Sequence, residues 1–184
     1  GMHSSPTGEL FLTDVRAGRD RLLGETEDVP DRSAAKDTFS MERTGVAAMA
    51  LGIVEQCLDL CVRYAKDRVQ FGKPIAGFPL VQDLLVKMLG NITSSACLCA
   101  RLAQLQAEGT AADEHSALAK AFCTVRMRET VGYARELLGG NGILLENQVG
   151  RFVADAGAIY SYEGTREINT LVVGRAITGL GAFV

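Results

Sequence analysis

The sequence predicts an all-α protein, an antiparallel up-and-down four-helix bundle with a short extended segment at its N-terminus. Apolar residues recur at spacings of three and four over several long stretches, which is the period of one helix face. Short links containing glycine and proline separate these stretches. A Rossmann-type domain would show alternating strand-like and helix-like segments, and this sequence does not. Long amphipathic helices joined by short links bury their apolar faces by packing side by side as a bundle.

The N-terminal part of the chain is not helical in pattern. Residues 9–16 are typical of one strand, in which Leu10, Leu12 and Val15 could face the same side. A single strand cannot form a sheet, so this segment needs partner strands that the chain does not provide. Residues 24–36 are polar, contain Pro30 and indicate an exposed linker. We therefore divide the chain into residues 1–36, a strand plus linker, and residues 37–184, a helical bundle domain.

Two long helices open the predicted bundle. The first runs from about Asp37 to about Arg68, and the second follows Pro79 and ends at Gly109. The apolar face of the first consists of Val46, Met49, Ile53, Cys57, Leu60 and Tyr64. The second carries Val81, Leu85, Met88, Ile92, Ala96, Cys99 and Ala103.

Three further helices complete the prediction. The third begins with Asp113 as N-cap and stops at Gly139-Gly140, where glycine can take the left-handed conformation. A shorter helix is expected over about 148–158, and Thr165 caps the last one. The predicted inner face of the third helix consists of Leu118, Ala121, Phe122 and Val125.

Composition and charge exclude several classes of function. A net charge of −3 without a run of Lys or Arg disfavours binding to nucleic acid or to an anionic membrane surface. We see no apolar stretch near the roughly 20 residues that span a bilayer, and the N-terminus lacks the features of a signal peptide. The five cysteines include no Cys-x-x-Cys pair, so we expect no metal site. They fit buried thiols in a reducing compartment, and we expect a cytoplasmic location.

Three sequence blocks carry candidate functional residues. The block YEGT at 162–165 places the carboxylate of Glu163 on a non-helical link, where partial burial makes it a better general base. Arg68 begins the block RVQFGKPI, and a planar guanidinium suits a phosphate. The third block is the glycine turn LGGNG at 138–142. Taken alone, each block is weak evidence for a function. Glu and Arg residues in such positions are usually solvated, and glycine clusters usually mark helix ends.

Together the three blocks resemble the C-terminal domain of the acyl-CoA dehydrogenase family. Residues 174–179 and Glu136 resemble the glutaryl-CoA dehydrogenase-like branch most closely. The resemblance implies a flavoprotein oxidoreductase of fatty acid metabolism that binds FAD and acyl-CoA and oxidises a CH–CH bond. It also implies a dimer or homotetramer that passes electrons to an electron-transferring flavoprotein. By the same resemblance, residues 1–36 are a remnant of the middle β-domain and residues 37–184 are the C-terminal bundle.

The resemblance also implies which residues act on the substrate. Glu163 removes the α-proton of the thioester while flavin N5 takes a hydride from the β-carbon, and the Glu163 N–H polarises the thioester carbonyl. Glu42, in the first turn of the first helix, is the alternative base, as in members resembling the isovaleryl-CoA enzyme. We favour Glu163 because its whole loop is intact, and we expect its side chain to emerge beside a cleft. Arg43, Tyr162 and Gly164 are implied to lie near the substrate.

A second set of residues is implied to bind FAD. The arginine and phenylalanine of the RVQFGKPI block bind the pyrophosphate and adenosine of a neighbouring subunit's cofactor, and the glycine turn approaches its ADP part. The complete set is Arg68, Gln70, Phe71, Gln82, Glu136, Gly139, Gly140, Thr165 and Glu167. Two positions depart from the family. Pro79 replaces a frequent Gln beside the flavin, and Glu136 replaces a frequent Gln, although the glutaryl branch also has an acid there.

The resemblance leaves large parts of the family's enzymes without a counterpart. The N-terminal helical domain and nearly all of the β-domain, which hold the flavin ring and much of the acyl pocket, are absent from this sequence. We therefore expect the isolated chain not to turn over acyl-CoA. Two other functions stay open at this point: a non-catalytic helical oligomerisation module, and a domain of an acyl-CoA oxidase.

Overall fold

The computed structural model describes residues 2–22 and 33–182, and it confirms the all-α bundle. Its helices are α1 (Ser33–Asp67), α2 (Pro79–Ala107), α3 (Asp113–Leu137), α4 (Val149–Ser161) and α5 (Arg166–Thr178). A small antiparallel hairpin, β1 (Val69–Gln70) with β2 (Lys73–Pro74), connects α1 to α2. Short 3-10 turns over Gly139–Ile143 and Leu145–Asn147 lead from α3 to α4.

Helix α3 is the centre of the bundle. It packs against α1, α2, α4 and α5, so its inner positions are covered from several sides. Small side chains on the facing side of α1 allow the two helices to approach closely. The buried core residues of α1 are Val46, Ala47, Ala50, Val54, Cys57, Cys61 and Ala65. Those of α3 include Ala117, Cys123, Met127, Val131 and Ala134.

The ends of the helices follow local sequence signals. Gly139, directly after the C-cap of α3, has φ +57°, which confirms the predicted left-handed glycine at this end. Thr165 caps α5 as predicted, since its hydroxyl accepts a hydrogen bond from the Ile168 N–H at 3.3 Å. Asp113, however, is the first residue of α3 and Ala112 is the N-cap. Instead of capping the helix, the Asp113 carboxylate forms an ion pair with Arg43.

The strand predicted over residues 9–16 does not form. These residues are irregular and exposed, with Leu10 91% accessible. A strand without a neighbour lacks partners for its backbone N–H and C=O groups, so exposure to solvent is the expected outcome. The predicted linker over 24–36 lies mostly outside the described residues. Helix α1 begins at Ser33, four positions before the predicted start.

The prediction for the inner face of α3 was wrong in part. Leu118, placed on that face by its apolar character, is 44% exposed. The buried positions are occupied to a large extent by polar residues, which the apolar period does not mark. These are Ser116, Lys120, Thr124 and Thr130. Thr124 satisfies its hydroxyl locally by donating to the Lys120 carbonyl oxygen at 2.8 Å.

The expectation about apolar stretches was also wrong for α1. Its portion Thr38–Asp67 is long enough to cross a membrane and contains an 18-residue window apolar enough to do so by composition alone, with a mean hydropathy of 1.6 in that window. Alanine, valine and cysteine dispersed among few charges raise this mean hydropathy without forming one continuous apolar run. One third of this window is buried within the bundle, where α1 packs against α2, α3 and α4. Core helices pass the same test of composition.

Candidate active site

The link between α4 and α5 carries Glu163 in an unusual backbone conformation. Glu163 has φ +56° and the following Gly164 has φ +79°. Left-handed φ is uncommon for a residue with a side chain and persists where the surroundings hold it in place. Such residues concentrate at functional sites because the strain fixes a side chain in one direction. The preceding Tyr162 packs against the hydrophobic core.

Two buried side chains hold this link from beneath. Lys120, which is fully buried on α3, donates from Nζ to the Tyr160 carbonyl oxygen at 2.9 Å and to the Gly164 carbonyl oxygen at 2.5 Å. Asn169, fully buried on α5, donates from Nδ2 to the carbonyl oxygens of Gly164 and Thr165 at 2.9 and 3.0 Å. The Gly164 carbonyl oxygen therefore accepts two hydrogen bonds directly after the left-handed Glu163.

The two candidate bases lie beside each other. The carboxyl of Glu42 lies close enough to that of Glu163 to raise its pKa, although 121 positions separate the two residues in sequence. Glu42 stands about two and a half turns inside α1, so the expectation that it occupies the first turn was wrong. The cause is the early start of α1, which moves Glu42 away from the stabilising N-terminal end of the helix dipole.

The environment raises the pKa of Glu163 above the usual range of a glutamate. The largest cause is burial, followed by the hydrogen bond to Glu42 and the charge of Glu42. Lys120 and Arg43 act in the opposite direction because their positive charges favour the carboxylate. Burial lowers the pKa of the Lys120 ammonium to about 8, with Glu163 raising it and Arg43 lowering it further. A carboxyl with a raised pKa is a stronger base than a fully solvated one.

Replacing Glu42 by Gln is expected to lower the pKa of Glu163. The substitution removes a negative charge that favours protonation of Glu163 and leaves the charges of Lys120 and Arg43 in place. A titration of the glutamate side-chain carboxyls by carbon-13 NMR measures this directly. Glu55→Gln, on the exposed side of the same helix, is the matched control. An unchanged Glu163 pKa in Glu42→Gln would show that the two carboxyls do not interact.

The buried Lys120 is expected to make stability depend on pH in a defined window. Its pKa is about 8 in the folded chain and 10.5 for a free lysine, so between these values the unfolded chain binds more protons. The free energy of unfolding then rises with pH in this window. Cys57 and Cys61, whose pKa burial raises to about 12, act in the opposite direction above pH 9. The measurement is therefore the difference between wild type and Lys120→Met in urea unfolding from pH 7 to 10.5, which should grow in favour of wild type. A constant difference would contradict the pKa of about 8.

Arg43, predicted near the substrate, and Glu167, predicted at the cofactor, both lie around this link. The Arg43 side chain is 12% exposed and pairs with Asp113 at the start of α3. Glu167 is exposed in the first turn of α5 and its carboxylate lies 2.9 Å from the Arg166 guanidinium. The backbone of its own helix end and then Arg166 lower the pKa of Glu167. Glu163 is thus the half-buried acid of this link, while Glu167 is a paired surface acid.

Two grooves border α5, one beside the link between α4 and α5 and the other toward the C-terminal end of α5. One, of about 440 Å³, is lined by residues that include Tyr160 and Arg166. The other, of about 340 Å³, is lined by residues that include Asp113 and Arg175. Glu163 lines neither of them, so the expected cleft beside its carboxyl is not formed by these two grooves. Its side chain is nevertheless half-buried, against Glu42, rather than in bulk water.

A third groove lies at the opposite end of α1. It has a volume of about 360 Å³ and combines the end of α1 and its hairpin with the glycine turn after α3. Arg68 contributes a guanidinium, and the Tyr64 hydroxyl accepts a hydrogen bond from Asn141 Nδ2 at 2.8 Å. The structure thus brings together four of the predicted cofactor residues. They are Arg68, Gln70, Gly139 and Gly140.

The other predicted cofactor residues lie outside this groove. Phe71 is 93% exposed at the tip of the hairpin, with its ring edge-on to Phe78 at 6.0 Å. Gln82, exposed in α2, donates to the Ala76 carbonyl oxygen at 3.0 Å. Glu136 lines a separate groove between α2 and α3 that also contains Lys87. Thr165 and Glu167, both at the start of α5, lie with the Glu163 link.

Several residues of these sites were not found by sequence reasoning. Lys120 and Asn169 support the Glu163 link, and Tyr64 and Asn141 line the glycine-turn groove. A lysine between alanines on a helix face, spaced from Cys123 and Met127 by three and seven positions, was an available signal for Lys120. Within the described residues no three His, Cys, Asp or Glu side chains cluster as a metal site would require.

Comparison with known proteins identifies the family. The family model for the acyl-CoA dehydrogenase C-terminal domain matches residues 32–178. Glutaryl-CoA dehydrogenase of Desulfococcus multivorans is 32% identical over 94% of this chain and 44% of its own length. The short-chain-specific acyl-CoA dehydrogenase of Megasphaera elsdenii is 37% identical over 96% of this chain and 46% of its own length.

A solved structure agrees with this result. The glutaryl-CoA dehydrogenase of Mycobacterium smegmatis in complex with FADH2 has a TM-score of 0.81 at 28% identity, over 85% of this chain and 40% of that one. The chain therefore spans less than half the length of these relatives. With a family model covering most of its residues, the chain belongs to the acyl-CoA dehydrogenase family and contains that family's C-terminal domain.

Proposed function

We propose that this chain supplies the catalytic base and a cofactor-binding surface of a FAD-dependent acyl-CoA dehydrogenase. One observation carries the proposal: Glu163 is half-buried, left-handed and held from beneath by two buried side chains. A carboxylate fixed in this way is positioned to take a proton from one direction only. Membership of the family supports the same reaction class.

In this proposal the chain moves one proton. The Glu163 carboxylate accepts the proton from the α-carbon of the acyl thioester and becomes a carboxylic acid. Negative charge then develops on the thioester carbonyl oxygen, and the backbone N–H of Glu163 donates a hydrogen bond to it. When bound, FAD supplies the acceptor for the β-hydrogen, which leaves as hydride. Arg43 and Tyr162 border the substrate at this end of the bundle.

The groove at the other end of α1 fits the diphosphate half of FAD. Its donor set is a guanidinium, a carboxamide and a phenol hydroxyl, beside a glycine turn where added side chains would meet open space. Charged and planar donors of this kind suit phosphate oxygens. Arg68 lies 26 residues after Glu42, which is about 39 Å along a helix. This exceeds the length of an extended FAD, so the two sites of one chain serve cofactors of different subunits.

If the Glu163 site and the Arg68 groove of one chain serve different cofactors, copies of the chain must associate. Phe71 in the hairpin and Leu80 at the start of α2 are 93% and 82% exposed, around an apolar groove of about 420 Å³. Exposed apolar surface of this kind marks interaction sites. We propose a homo-oligomer, a dimer or tetramer, whose electrons pass to an electron-transferring flavoprotein. The isolated chain has less than half the length of its relatives and is proposed not to turn over acyl-CoA by itself.

A hybrid enzyme tests the proposal. In it this chain replaces the aligned C-terminal part of the Megasphaera elsdenii short-chain acyl-CoA dehydrogenase, which is 37% identical. We expect the hybrid to bind FAD stoichiometrically and to lose its flavin absorbance when butyryl-CoA is added. The chain alone should do neither. A folded hybrid that binds FAD and butyryl-CoA without bleaching would instead favour a non-catalytic assembly module.

Arg68→Ala in this hybrid is expected to weaken FAD binding about 10- to 100-fold, because hydrogen bonds to charged groups contribute about 1.5–3 kcal/mol. Fluorescence titration of the apoprotein with FAD measures the change. Arg63→Ala is the matched control, since Arg63 lies in α1 shortly before Arg68 but pairs with Asp59 in solvent. Equal affinities for the two variants would remove Arg68 from the cofactor site.

A further inference from the structure

Lys120 carries a buried charge, and the proposed removal of the α-proton by Glu163 does not use it. Its side chain is fully buried on the central helix α3, among Ala117, Ala119 and Cys123, which are also fully buried. Burying an ammonium costs free energy unless several acceptors surround it. Two of its acceptors are backbone carbonyl oxygens of the Glu163 link. The geometry of these two contacts indicates what the buried charge does.

The two carbonyls stand on either side of Glu163. Tyr160 belongs to the last turn of α4, whose terminal carbonyls carry partial negative charge. Gly164 follows Glu163 directly and leads to the N-cap of α5. A single ammonium at 2.9 and 2.5 Å from these oxygens therefore ties the end of α4 to the start of α5. The turn between these two residues, in which Glu163 has a left-handed backbone conformation, therefore packs on the Lys120 ammonium.

We propose that Lys120 is a positioning residue: a buried cation that holds the turn carrying Glu163 and fixes the direction of its carboxyl. This inference rests on the proposed role of Glu163 as the base. Lys120 acts through the backbone and through its charge, without contact to the substrate. Asn169 shares the Gly164 carbonyl oxygen and supports the same turn from α5.

Several charged groups face Lys120 from the elements around it. Glu163 lies on the link itself, Arg43 on α1 and Glu167 on α5. Glu42 adds a carboxyl beside Glu163, and Arg43 is paired with Asp113. Removal of the Lys120 charge leaves Glu163 beside Glu42 with only Arg43 opposing the interaction. The protonated form of Glu163 should then gain stability, which raises its pKa.

The test compares Lys120→Met with Met88→Ala in the 184-residue chain. Methionine keeps a long, unbranched side chain but lacks the ammonium, and Met88 is fully buried in α2 away from the link. Carbon-13 NMR gives the pKa of Glu163. Amide hydrogen exchange at Tyr162 and Asn169, which donate to Ala158 and Thr165 on either side of the turn, reports on its order.

We expect Lys120→Met to raise the Glu163 pKa and to speed exchange at both amides about tenfold or more relative to core amides of the bundle. Met88→Ala should lower overall stability without either change. If Lys120→Met alters all amides in parallel and leaves the Glu163 pKa as in wild type, Lys120 is only a core residue. Both readouts use the chain without flavin, so an inactive hybrid would refute the proposed function and leave this result standing.

If Lys120→Met does not fold, a measurement on the wild-type chain still tests the proposal. Below pH 8 the Lys120 ammonium should give a slowly exchanging nitrogen-15 NMR signal with couplings across hydrogen bonds to the carbonyl carbons of Tyr160 and Gly164. Detection of both couplings supports the inference. A rapidly exchanging ammonium without these couplings would overturn it.

Discussion

Glu163→Gln in the hybrid enzyme is expected to slow flavin reduction by butyryl-CoA about 10²- to 10⁴-fold, the usual contribution of a positioned general base. Glutamine has nearly the same shape and keeps the backbone of the turn, but its amide cannot accept the α-proton. The loss should fall on kcat with little change in KM, because the thioester contacts made by the backbone remain. Stopped-flow absorbance of the flavin measures the rate.

Glu42→Gln provides the matched comparison. It removes the neighbouring carboxyl and leaves the base, so flavin reduction should persist, with the acid limb of its pH profile moved to lower pH. The sign follows from the Glu42 charge, which raises the Glu163 pKa. A collapse of activity in Glu42→Gln together with near-normal activity in Glu163→Gln would exchange the roles of the two residues.

Met127→Ala is expected to be the most damaging simple truncation, with a loss of about 2–5 kcal/mol in the free energy of unfolding. Met127 is fully buried on α3, and α3 packs against the four other helices. The cavity left by its side chain is therefore walled on several sides and relaxes poorly. Urea unfolding of the chain followed by circular dichroism measures the change.

Leu118→Ala is the control on the same helix. Leu118 is 44% exposed, so its truncation should cost only about 0.5 kcal/mol, as is usual at the surface. The apolar pattern of the sequence places Leu118 on the inner face, and the structure places Met127 there. A larger loss for Leu118→Ala than for Met127→Ala would mean that α3 is rotated about its axis relative to the structure.

The helices and some of their ends were predictable from local signals, whereas the start of α1 and the N-cap of α3 were not. Apolar periodicity located the long helices, and the caps at Gly139 and Thr165 marked two of their ends. The inner face of α3 was not predictable by the same rule, because Ser116, Lys120 and Thr124 occupy buried positions. Their polar groups are satisfied by backbone carbonyls within the bundle, and a hydropathy pattern contains no information on such partners.

The site was predictable only in its parts. The YEGT and RVQFGKPI blocks identified Glu163 and Arg68 through their resemblance to a family. The contact of Glu163 with Glu42, 121 positions earlier, depends on how α1 packs beside the link and leaves no local pattern. The support from Lys120 likewise spans 40 and 44 positions. Contacts of this range are set by tertiary packing, which local periodicity does not encode.

Hydrogen exchange at the α-carbon of butyryl-CoA in deuterated water tests the central claim most directly, because it follows the proton itself. NMR of the recovered thioester should show α-deuterium after incubation with the hybrid and with its Glu42→Gln variant. Glu163→Gln, although it binds the same thioester, should leave the α-hydrogens in place. Persistent exchange in Glu163→Gln, or its loss in Glu42→Gln alone, would contradict the assignment of Glu163 as the base.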